Sequence, residues 1–426
     1  MDTPTPLSRR RVLALSWAAL LGGAAPRMAA AQDTPAGRLV VVFLRGAYDG
    51  LSAFVPYADA HYTQLRRTIA IPAPDGTAQT AIKLDNTFAL HPALAPLWPL
   101  WQQGVLAFVP ASGLPLAVRS HFEAQHYWEI GQPGKNSAGT GWLNTLAGAS
   151  ASPRALGVGE ANPEILRGAA PVKLVARGQA ATRTGVLAND RARQALMDLY
   201  AGSDTLGGAF QQGAGSRMDT ARTLEQATMM AAGDMPGADR TADNGAGNVA
   251  GLRLDVRHLA TLMRQDRSLR VGFLSAGGWD THANQGGVTG TLANNLGNLA
   301  QALVALRAEF SQAGDVIAVV SEFGRTAAEN GSRGTDHGHG NAMVLIGNRI
   351  AGGRWHGGWE GLAPGQLNEG RDLPVLNDFR AVLSVVLRGT QGVDDAQLAA
   401  LFPGNPFAGA ALMSGNNRLL KDLVRA

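Results

Sequence analysis

Cysteine is absent from this chain of 426 residues, and charged residues make up only 16% of it. Without cysteine the chain forms no disulfide bonds and offers no thiolate to a metal ion. A metal site in this protein must therefore use histidine, carboxylate or hydroxyl groups. The scarcity of charge does not indicate disorder, because hydrophobic residues reach 45%, which is ample for a substantial core in a chain of this length.

An excess of one charge is also lacking once the N-terminal segment is set aside. The whole chain carries a formal charge of +4, but residues 1–31 hold four arginines and one aspartate. Their removal leaves 33 basic and 32 acidic side chains. A nearly neutral protein gives no electrostatic reason to expect a nucleic acid or an anionic membrane as its partner.

The N-terminal apolar stretch is too short to cross a bilayer as a stable helix. It runs from Val12 to Ala25, follows the basic segment Ser8-Arg-Arg-Arg11 and precedes the small residues Ala29-Ala-Ala31. This order predicts a twin-arginine signal peptide over residues 1–31 and no membrane span after its cleavage. We therefore expect export to the periplasm or another extracytoplasmic compartment.

Apolar runs further along the chain predict buried strands of a parallel sheet. The runs are Leu39–Leu44, Val105–Val109, Leu269–Leu274, Asp315–Val320 and Ala342–Ile346. Helical spacing of leucines over Leu292–Phe310, between two of the strands, favours a βαβ unit. The sequence thus predicts an α/β fold with a doubly wound, mostly parallel sheet and helices on both faces.

The domain predicted to follow the signal peptide covers residues 32–426. Within it, the segment 150–248 differs in composition and is predicted to be a mainly helical insertion or cap. Its helical stretches are Asp190–Tyr200 and Met218–Ala231, and Gly233–Gly247 has almost no large apolar residues, which predicts a mobile loop.

Polar clusters follow the later strands. Asp280 and His282 come after one strand and Glu322 after the next, while Asp336, His337 and His339 form a glycine-rich cluster. The carboxyl ends of parallel strands open on the same edge of a sheet, so these side chains can converge. Carboxylate and imidazole together suit a divalent metal ion, although each cluster could instead be a turn or a surface loop.

Two residues after the first predicted strand are further candidates. Asp49 follows that strand and is expected at the same sheet edge, either as a metal ligand or as an Asp-Gly turn residue. Arg45 could bind an oxyanion through two hydrogen bonds, or pair with a neighbouring acid for structural reasons.

Ser120 could act as a helix cap or as a nucleophile. Ser120 and Glu123 have the spacing of a capping box, which predicts a structural hydroxyl at a helix start near His121. A hydroxyl at that place also lies in a positive potential, which favours an alkoxide and a bound phosphate or sulfate. Arg119 next to it could neutralise the oxygens of such a group.

Six segments spread from the first strand to near the C-terminus support a family resemblance. They are Leu44-Arg-Gly-Ala-Tyr-Asp-Gly-Leu-Ser52, Arg119-Ser-His-Phe-Glu-Ala-Gln125, Gly277-Gly-Trp-Asp-Thr-His282, Ser321-Glu-Phe-Gly-Arg-Thr326, Gly334-Thr-Asp-His-Gly-His-Gly-Asn341 and Asn377-Asp-Phe-Arg380. Through them the chain resembles a family of twin-arginine-exported bacterial proteins that has a domain of unknown function and belongs to the alkaline phosphatase and sulfatase superfamily.

The resemblance implies a site that holds two metal ions beside a hydroxyl nucleophile. Matched by position, the implied roles fall on Asp49, Ser120, Asp280, His282, Glu322 and His337 or His339. The implied ion is divalent, with zinc expected and calcium, manganese or magnesium as alternatives.

The leading hypothesis is an exported metal-dependent hydrolase that cleaves a phosphate or sulfate ester of a small molecule or polymer. One alternative is a non-catalytic periplasmic binding or assembly protein that keeps the fold, with a protein partner that the sequence does not name. Another is a carbohydrate hydrolase that uses Asp280 and Glu322 as its two carboxylates.

Overall fold

A nine-stranded mixed sheet forms the centre of the protein. The computed structural model describes residues 37–148, 154–202, 205–228, 243–404 and 419–425. The predicted signal peptide and the part of the predicted mobile loop up to residue 242 lie outside the described residues. From Gly37 onward the chain belongs to one compact unit.

The described strands belong to the main sheet or to a small second sheet. In chain order they are β1 (Leu39–Leu44), β2 (Phe54–Val55), β3 (Ile82–Lys83), β4 (Ala89–Leu90), β5 (Leu106–Gly113), β6 (Ala155–Gly159), β7 (Val172–Ala176), β8 (Val271–Ala276), β9 (Val316–Ser321), β10 (Asn341–Gly347), β11 (Arg354–Trp355) and β12 (Asn377–Asp378).

The described α-helices vary from one turn to 24 residues. They are α1 (Gly50–Ala53), α2 (Ala60–Leu65), α3 (Trp98–Gln102), α4 (His121–Ile130), α5 (Trp142–Ala147), α6 (Asp190–Leu199), α7 (Thr205–Thr228), α8 (Leu252–Gln265), α9 (Thr291–Glu309), α10 (Phe379–Gln391) and α11 (Asp395–Leu401).

The main sheet is mostly parallel, as predicted. Its order is β11-β5-β10-β9-β1-β8-β6-β7, with β12 paired to β5. β1 is parallel to β8 and β9, and β6 is parallel to β7 and β8. β10 is the exception, because it runs antiparallel to both β5 and β9. The small sheet, β2-β4-β3, is antiparallel.

The alternating side chains of β1 explain why this strand lies at the centre. Val40, Val42 and Leu44 pack into one hydrophobic cluster, whereas Leu39, Val41 and Phe43 pack into another on the opposite face. All six are completely buried. Burying each such side chain stabilises the fold by about 1.5–3 kcal/mol, so an unbroken apolar run is most stable between two covered faces.

The five predicted strands and the predicted long helix are confirmed with small shifts of their ends. The helix predicted over Leu292–Phe310 is α9, whose buried leucines include Leu296, Leu299 and Leu303. The segment 150–248, predicted as a mainly helical insertion or cap, contains β6 and β7 of the main sheet, and the described α-helices α6 and α7 follow them. None of the helices in the described ranges combines the length and hydrophobicity that crossing a membrane requires.

Candidate metal centre

Five loops meet at one edge of the main sheet. Four of them follow β1, β5, β8 and β9, and the fifth precedes β10. Because β10 is antiparallel to β9 and β5, its first residue lies at the edge where those strands end. The parallel strands β1, β8 and β9 end there as well. Residues from distant parts of the sequence therefore come together at this edge.

His121, Asp280 and His337 form a cluster of ligand-type atoms. One atom from each lies within 4.8 Å of the other two. The Nε2 atoms of His121 and His337 are 2.9 Å apart. Oδ1 of Asp280 is 3.5 Å from Nε2 of His121 and 3.3 Å from Nε2 of His337.

His282 extends this cluster from the side that faces solvent. Its Nε2 atom lies 2.9 Å from Oδ1 of Asp280 and 2.9 Å from Nε2 of His337. Its side chain is 43% exposed and that of Asp280 is 29% exposed, whereas His121 is buried. The cluster is thus open on one side, where a substrate could approach.

The second ring nitrogen of each histidine is held by a group that can only accept a hydrogen bond. Nδ1 of His121 donates to Glu322 Oε1 at 2.8 Å, and Nδ1 of His282 donates to Asp336 Oδ1 at 3.1 Å. Nδ1 of His337 donates to the Arg119 carbonyl at 2.8 Å. With Nδ1 protonated, each Nε2 atom points at the others and at Asp280, where it can take up either a proton or a metal ion.

A proton or a metal ion has to lie between these converging nitrogens, because imidazole lone pairs and a carboxylate repel one another. A tetrahedral site with metal–ligand bonds of about 2.0–2.1 Å has neighbouring ligand atoms about 3.3 Å apart. The separations of 2.9–3.5 Å in the cluster lie around that value. Histidines whose second nitrogens bond to carboxylate or carbonyl oxygens are also typical of metal sites. The residues therefore fit a divalent ion with nitrogen and oxygen ligands.

The electrostatics of the cluster favour an ionised carboxylate. Burial by itself would raise the pKa of Asp280, but hydrogen bonds from His121 and His337 and the charge of Arg325 hold it far below its ordinary value. Burial would likewise lower the pKa of His121, whereas its bonds to Asp280 and Glu322 raise it to about 9. Both shifts arise because the site stabilises positive charge next to Asp280.

Glu322 orients a histidine and is not placed as a ligand itself. The residue is completely buried, and its Oε1 also accepts hydrogen bonds from the backbone N–H of Gly46 and the amide of Gln125. Burial would raise the pKa of Glu322, but the bond and charge of His121 lower it to about 2. A sealed carboxylate cannot reach a sugar, which removes the geometric basis for the carbohydrate hydrolase hypothesis.

Asp336, another predicted ligand, has the corresponding role beside His282. Its Oδ1 accepts from His282 Nδ1 and from Asn330 Nδ2, at 3.1 and 2.9 Å. The side chain is half exposed. Of the predicted ligands, the structure thus brings Asp280, His282 and His337 together, and it places Glu322 and Asp336 behind them as hydrogen-bond acceptors.

Two predicted ligands lie apart from the cluster. Asp49 is completely buried and pairs with Arg66 at 2.5 Å. His339 donates from Nε2 to the Leu114 carbonyl at 2.8 Å and is buried, and burial lowers its pKa. Of the two histidines, only His337 contacts the cluster.

The prediction that Arg45 binds an oxyanion is corrected by its surroundings. Its guanidinium is completely buried and bonds to Glu160 at 2.5 and 2.9 Å, to Glu129 at 2.9 Å and to Gln125 at 2.9 Å. Four of its five N–H donors are thus engaged, and a fully buried guanidinium paired with two carboxylates cannot reach a substrate. The alternative of structural pairing therefore describes Arg45.

Ser120 is the N-cap residue of α4 and directly precedes the cluster residue His121. Its Oγ accepts from the backbone N–H of Glu123 at 3.5 Å, which is a long and weak cap. Ser120 is exposed. The neighbouring Arg119 donates to Glu369 at 2.7 Å and lies 3.4 Å from Asp372. Arg119 is thus near the site, but carboxylates already pair with its guanidinium.

His121 was not among the predicted ligands although it belongs to the cluster. The available signal was its place at the start of a helix that follows β5, beside Ser120 and therefore at the same sheet edge as the other loops. In the sequence alone the Ser-His-Phe-Glu pattern indicates a cap, and 158 residues lie between His121 and Asp280, so the sequence does not reveal their contact.

The comparisons with known proteins give a family and several distant structures. The family model described as a protein of unknown function (DUF1501) matches residues 36–402. No curated protein sequence matches the chain.

Similar solved structures include PsFucS1 sulfatase from Pseudoalteromonas sp., with 11% identity over 99% of this chain and 78% of the other, and a TM-score of 0.38. Alkaline phosphatase from the Antarctic bacterium TAB5 has 10% identity over 75% and 94%, with a TM-score of 0.33. The C-terminal periplasmic domain of EcEptC from Escherichia coli, in complex with Zn, has 8% identity over 73% of each chain and a TM-score of 0.32. At these scores the likeness does not extend to individual side chains, so the roles of residues rest on this chain's own geometry.

Proposed function

The chain belongs to the family of proteins of unknown function DUF1501, and we propose that it is a metal-dependent hydrolase of phosphate or sulfate esters. The observation that supports this most is the convergence of His121, Asp280 and His337, with His282 beside them, at an open sheet edge. Three imidazole nitrogens and one carboxylate oxygen are unlike the all-oxygen sites that calcium and magnesium prefer. Zinc is the ion that we propose.

A divalent cation held there would act as a Lewis acid toward an oxygen of the ester. The protein's own groups do the remaining work. Glu322, Asp336 and the Arg119 carbonyl hold a proton on Nδ1 of the three rings, so that each Nε2 would bind the ion after losing any proton of its own. Arg325 donates to Asp280 at 2.6 Å and so keeps that carboxylate charged.

Ser120 is the nucleophile that we propose. In the sequence Ser120 lies between Arg119 and His121. The Arg119 carbonyl accepts from His337, and the ring of His121 belongs to the cluster. The first turn of α4 supplies a positive potential that favours the deprotonated hydroxyl. Arg119 would neutralise a non-bridging oxygen of the substrate by exchanging its exposed partner Glu369 for that oxygen.

The substrate that we propose is a small molecule or polymer that carries the ester, and nucleic acid is not expected. We also propose export by the twin-arginine route, on the strength of the N-terminal pattern. Cell fractionation of a variant with Arg9→Lys and Arg10→Lys tests this: we expect the protein to stay in the cytoplasm. Unchanged export of that variant would contradict the route.

The test of the activity combines elemental analysis with assays on aryl phosphates and aryl sulfates. We expect about one zinc per chain, hydrolysis of one ester class, and a fall in kcat of at least about 10³-fold in Ser120→Ala. Asn189→Ala is the matched control. Like Ser120, Asn189 is a helix N-cap that accepts from a backbone N–H, here that of Ala192, but it caps α6 and not α4. Absence of stoichiometric metal together with no turnover would rule out the proposal.

A non-catalytic binding or assembly protein is the second candidate. It is favoured by the buried position of Arg45 and by the hydroxyl of Ser120, which accepts a hydrogen bond from Glu123 N–H as a helix cap. This candidate predicts that Ser120→Ala leaves a cellular phenotype intact, whereas surface substitutions in segment 150–248 abolish it. The hydrolase proposal predicts the reverse.

A further inference from the structure

A second buried polar network lies beside the metal cluster and centres on Asp49. Oδ2 of Asp49 accepts from Arg66 Nη1 at 2.5 Å, from Ser52 Oγ at 2.7 Å and from Gln285 Nε2 at 2.7 Å. Oδ1 accepts from Arg66 Nη2 at 3.0 Å. All four residues are completely buried. Both oxygens of the carboxylate are thus already engaged.

Arg66 is equally committed to this network. Its Nε donates to the Ala327 carbonyl at 2.9 Å, its Nη2 to the Thr326 carbonyl at 3.0 Å and its Nη1 to Ser52 Oγ at 2.9 Å. The guanidinium therefore neutralises the charge of Asp49 inside the core and cannot turn away without leaving buried groups unpaired. A neutral pair has no remaining negative charge with which to hold a divalent cation.

Gln285 connects this pair to both loops that carry metal ligands. Its Oε1 accepts from Thr281 Oγ1 and from Thr335 Oγ1, each at 2.8 Å. Because a carboxylate only accepts, Nε2 must face Asp49, and this fixes the orientation of the amide. Thr281 lies between the cluster residues Asp280 and His282.

The second threonine belongs to the other ligand loop. Thr335 precedes His337 by two residues, and its backbone N–H donates to the Thr281 carbonyl at 3.2 Å. One buried amide therefore sets the distance between the loop that supplies Asp280 and His282 and the loop that supplies His337. A shift of either threonine would move ligand atoms relative to each other.

We infer that the centre holds one metal ion, and that the buried Arg66–Asp49–Gln285 network stands in place of a second ion and positions the two ligand loops. This differs from the two-ion site that the resemblance to phosphatases implies. The inference rests on the proposed metal binding, and it assigns Gln285 and Thr335 as positioning residues that act through the loops and touch no substrate.

The stoichiometry is tested by titrating metal-free protein with Zn²⁺ and with Co²⁺. Calorimetry monitors the titration, and elemental analysis counts the ions in the loaded protein. We expect one equivalent in the wild type and one equivalent in Asp49→Asn. Two equivalents in the wild type, with one lost in Asp49→Asn, would overturn the inference while leaving the hydrolase proposal intact. Zero equivalents would overturn both.

The positioning role is tested with a pair of substitutions at one position. Thr335→Val keeps the shape but removes the donor to Gln285, and we expect the Kd for Zn²⁺ to rise about 10- to 100-fold, with a changed visible spectrum of the Co²⁺ form. Thr335→Ser keeps the hydroxyl, and we expect it to retain the wild-type Kd and spectrum. Equal behaviour of the two variants would overturn the positioning role.

Gln285→Leu extends the test to the amide itself. Asn144→Leu is its control, because Asn144 is a buried amide that bonds to Leu166 and Ala170 in another part of the fold. We expect both variants to lose stability, but only Gln285→Leu to weaken Zn²⁺ binding and alter the Co²⁺ spectrum. A Zn²⁺ affinity of Gln285→Leu equal to that of the control would contradict the inference.

Discussion

The Nε2 atoms of His121 and His337 lie 2.9 Å apart, with Asp280 Oδ1 within 3.5 Å of both. Each ring has its Nδ1 proton committed to Glu322 or to the Arg119 carbonyl. Two imidazole lone pairs and a carboxylate repel one another at such distances unless a proton or a metal ion lies between them. This relationship is the physical basis for the proposed metal site.

Zinc should stabilise the fold through these residues. At free zinc about 100-fold above Kd, the free energy of unfolding should rise by about 2.7 kcal/mol, measured by urea unfolding with and without chelator. His121→Ala should lose this increase. His126→Ala, on the same helix but bonded to Glu164 and the Lys135 carbonyl, should keep it. If zinc raised the free energy of unfolding equally in both variants, His121 would not be a zinc ligand.

The two carboxylates behind the histidines should differ in their effect on zinc affinity. Glu322→Gln removes a fully buried charge partner of His121, and we expect the Kd to rise about 10- to 100-fold. Asp336→Asn removes a half-exposed partner of His282, where water competes, and its effect should be smaller. Competition titrations with a chelator measure both. Complete loss of binding in Glu322→Gln would instead identify Glu322 as a ligand.

Gly334 allows the two ligand loops to approach closely. A Cβ at this position would lie 2.4 Å from the backbone carbonyl carbon and oxygen of His282. We therefore expect Gly334→Ala to displace the loop, lower the melting temperature and weaken zinc binding. Gly331→Ala is the control in the same loop, because among the described residues nothing lies within 4 Å of its Cβ. Unchanged zinc affinity in Gly334→Ala would contradict the prediction that close packing of the two loops positions the zinc ligands.

Two buried groups on α8 should give opposite pH dependences. Burial, with the nearby charge of Arg257, lowers the pKa of His258 to about 4, whereas burial raises the pKa of Asp255 to about 6 despite its bond from Gly178 N–H. Between pH 6.5 and 4 the unfolded chain takes up a proton at His258 that the folded chain does not. Stability from this group therefore falls on acidification, by up to roughly 3 kcal/mol.

Asp255 acts in the other direction, because its folded carboxyl keeps a proton up to about pH 6 while the unfolded one has lost it above 3.8. The stability it adds is present at low pH and is lost as the pH rises through 6. On acidification from pH 7 to 4, the free energy of unfolding of His258→Leu should therefore rise relative to that of the wild type. That of Asp255→Asn should fall relative to the wild type. Urea unfolding at several pH values measures both. If the free energies of unfolding of the two variants changed with pH in parallel with that of the wild type, the pKa shifts of His258 and Asp255 would be contradicted.

The positions of the main strands and of α9 were determined by the sequence itself. Apolar runs such as Leu39–Leu44 are stable only between two covered faces, and helical spacing of leucines requires a helix packed on a core. Because parallel strands end at a common edge, the sequence also indicated where Asp280, His282 and His337 would gather. These conclusions depend on local periodicity, which can be read without knowing distant contacts.

Only the tertiary structure decided which polar residues form the cluster. His337 and His339 are two positions apart in one loop, yet the first meets His121 and the second bonds to Leu114. Asp49 could have faced a metal, but Arg66 neutralises it instead. Such choices depend on side-chain directions and on partners up to hundreds of positions away. Periodicity specifies which face a residue occupies, and it contains no information about which distant charge will pair with it.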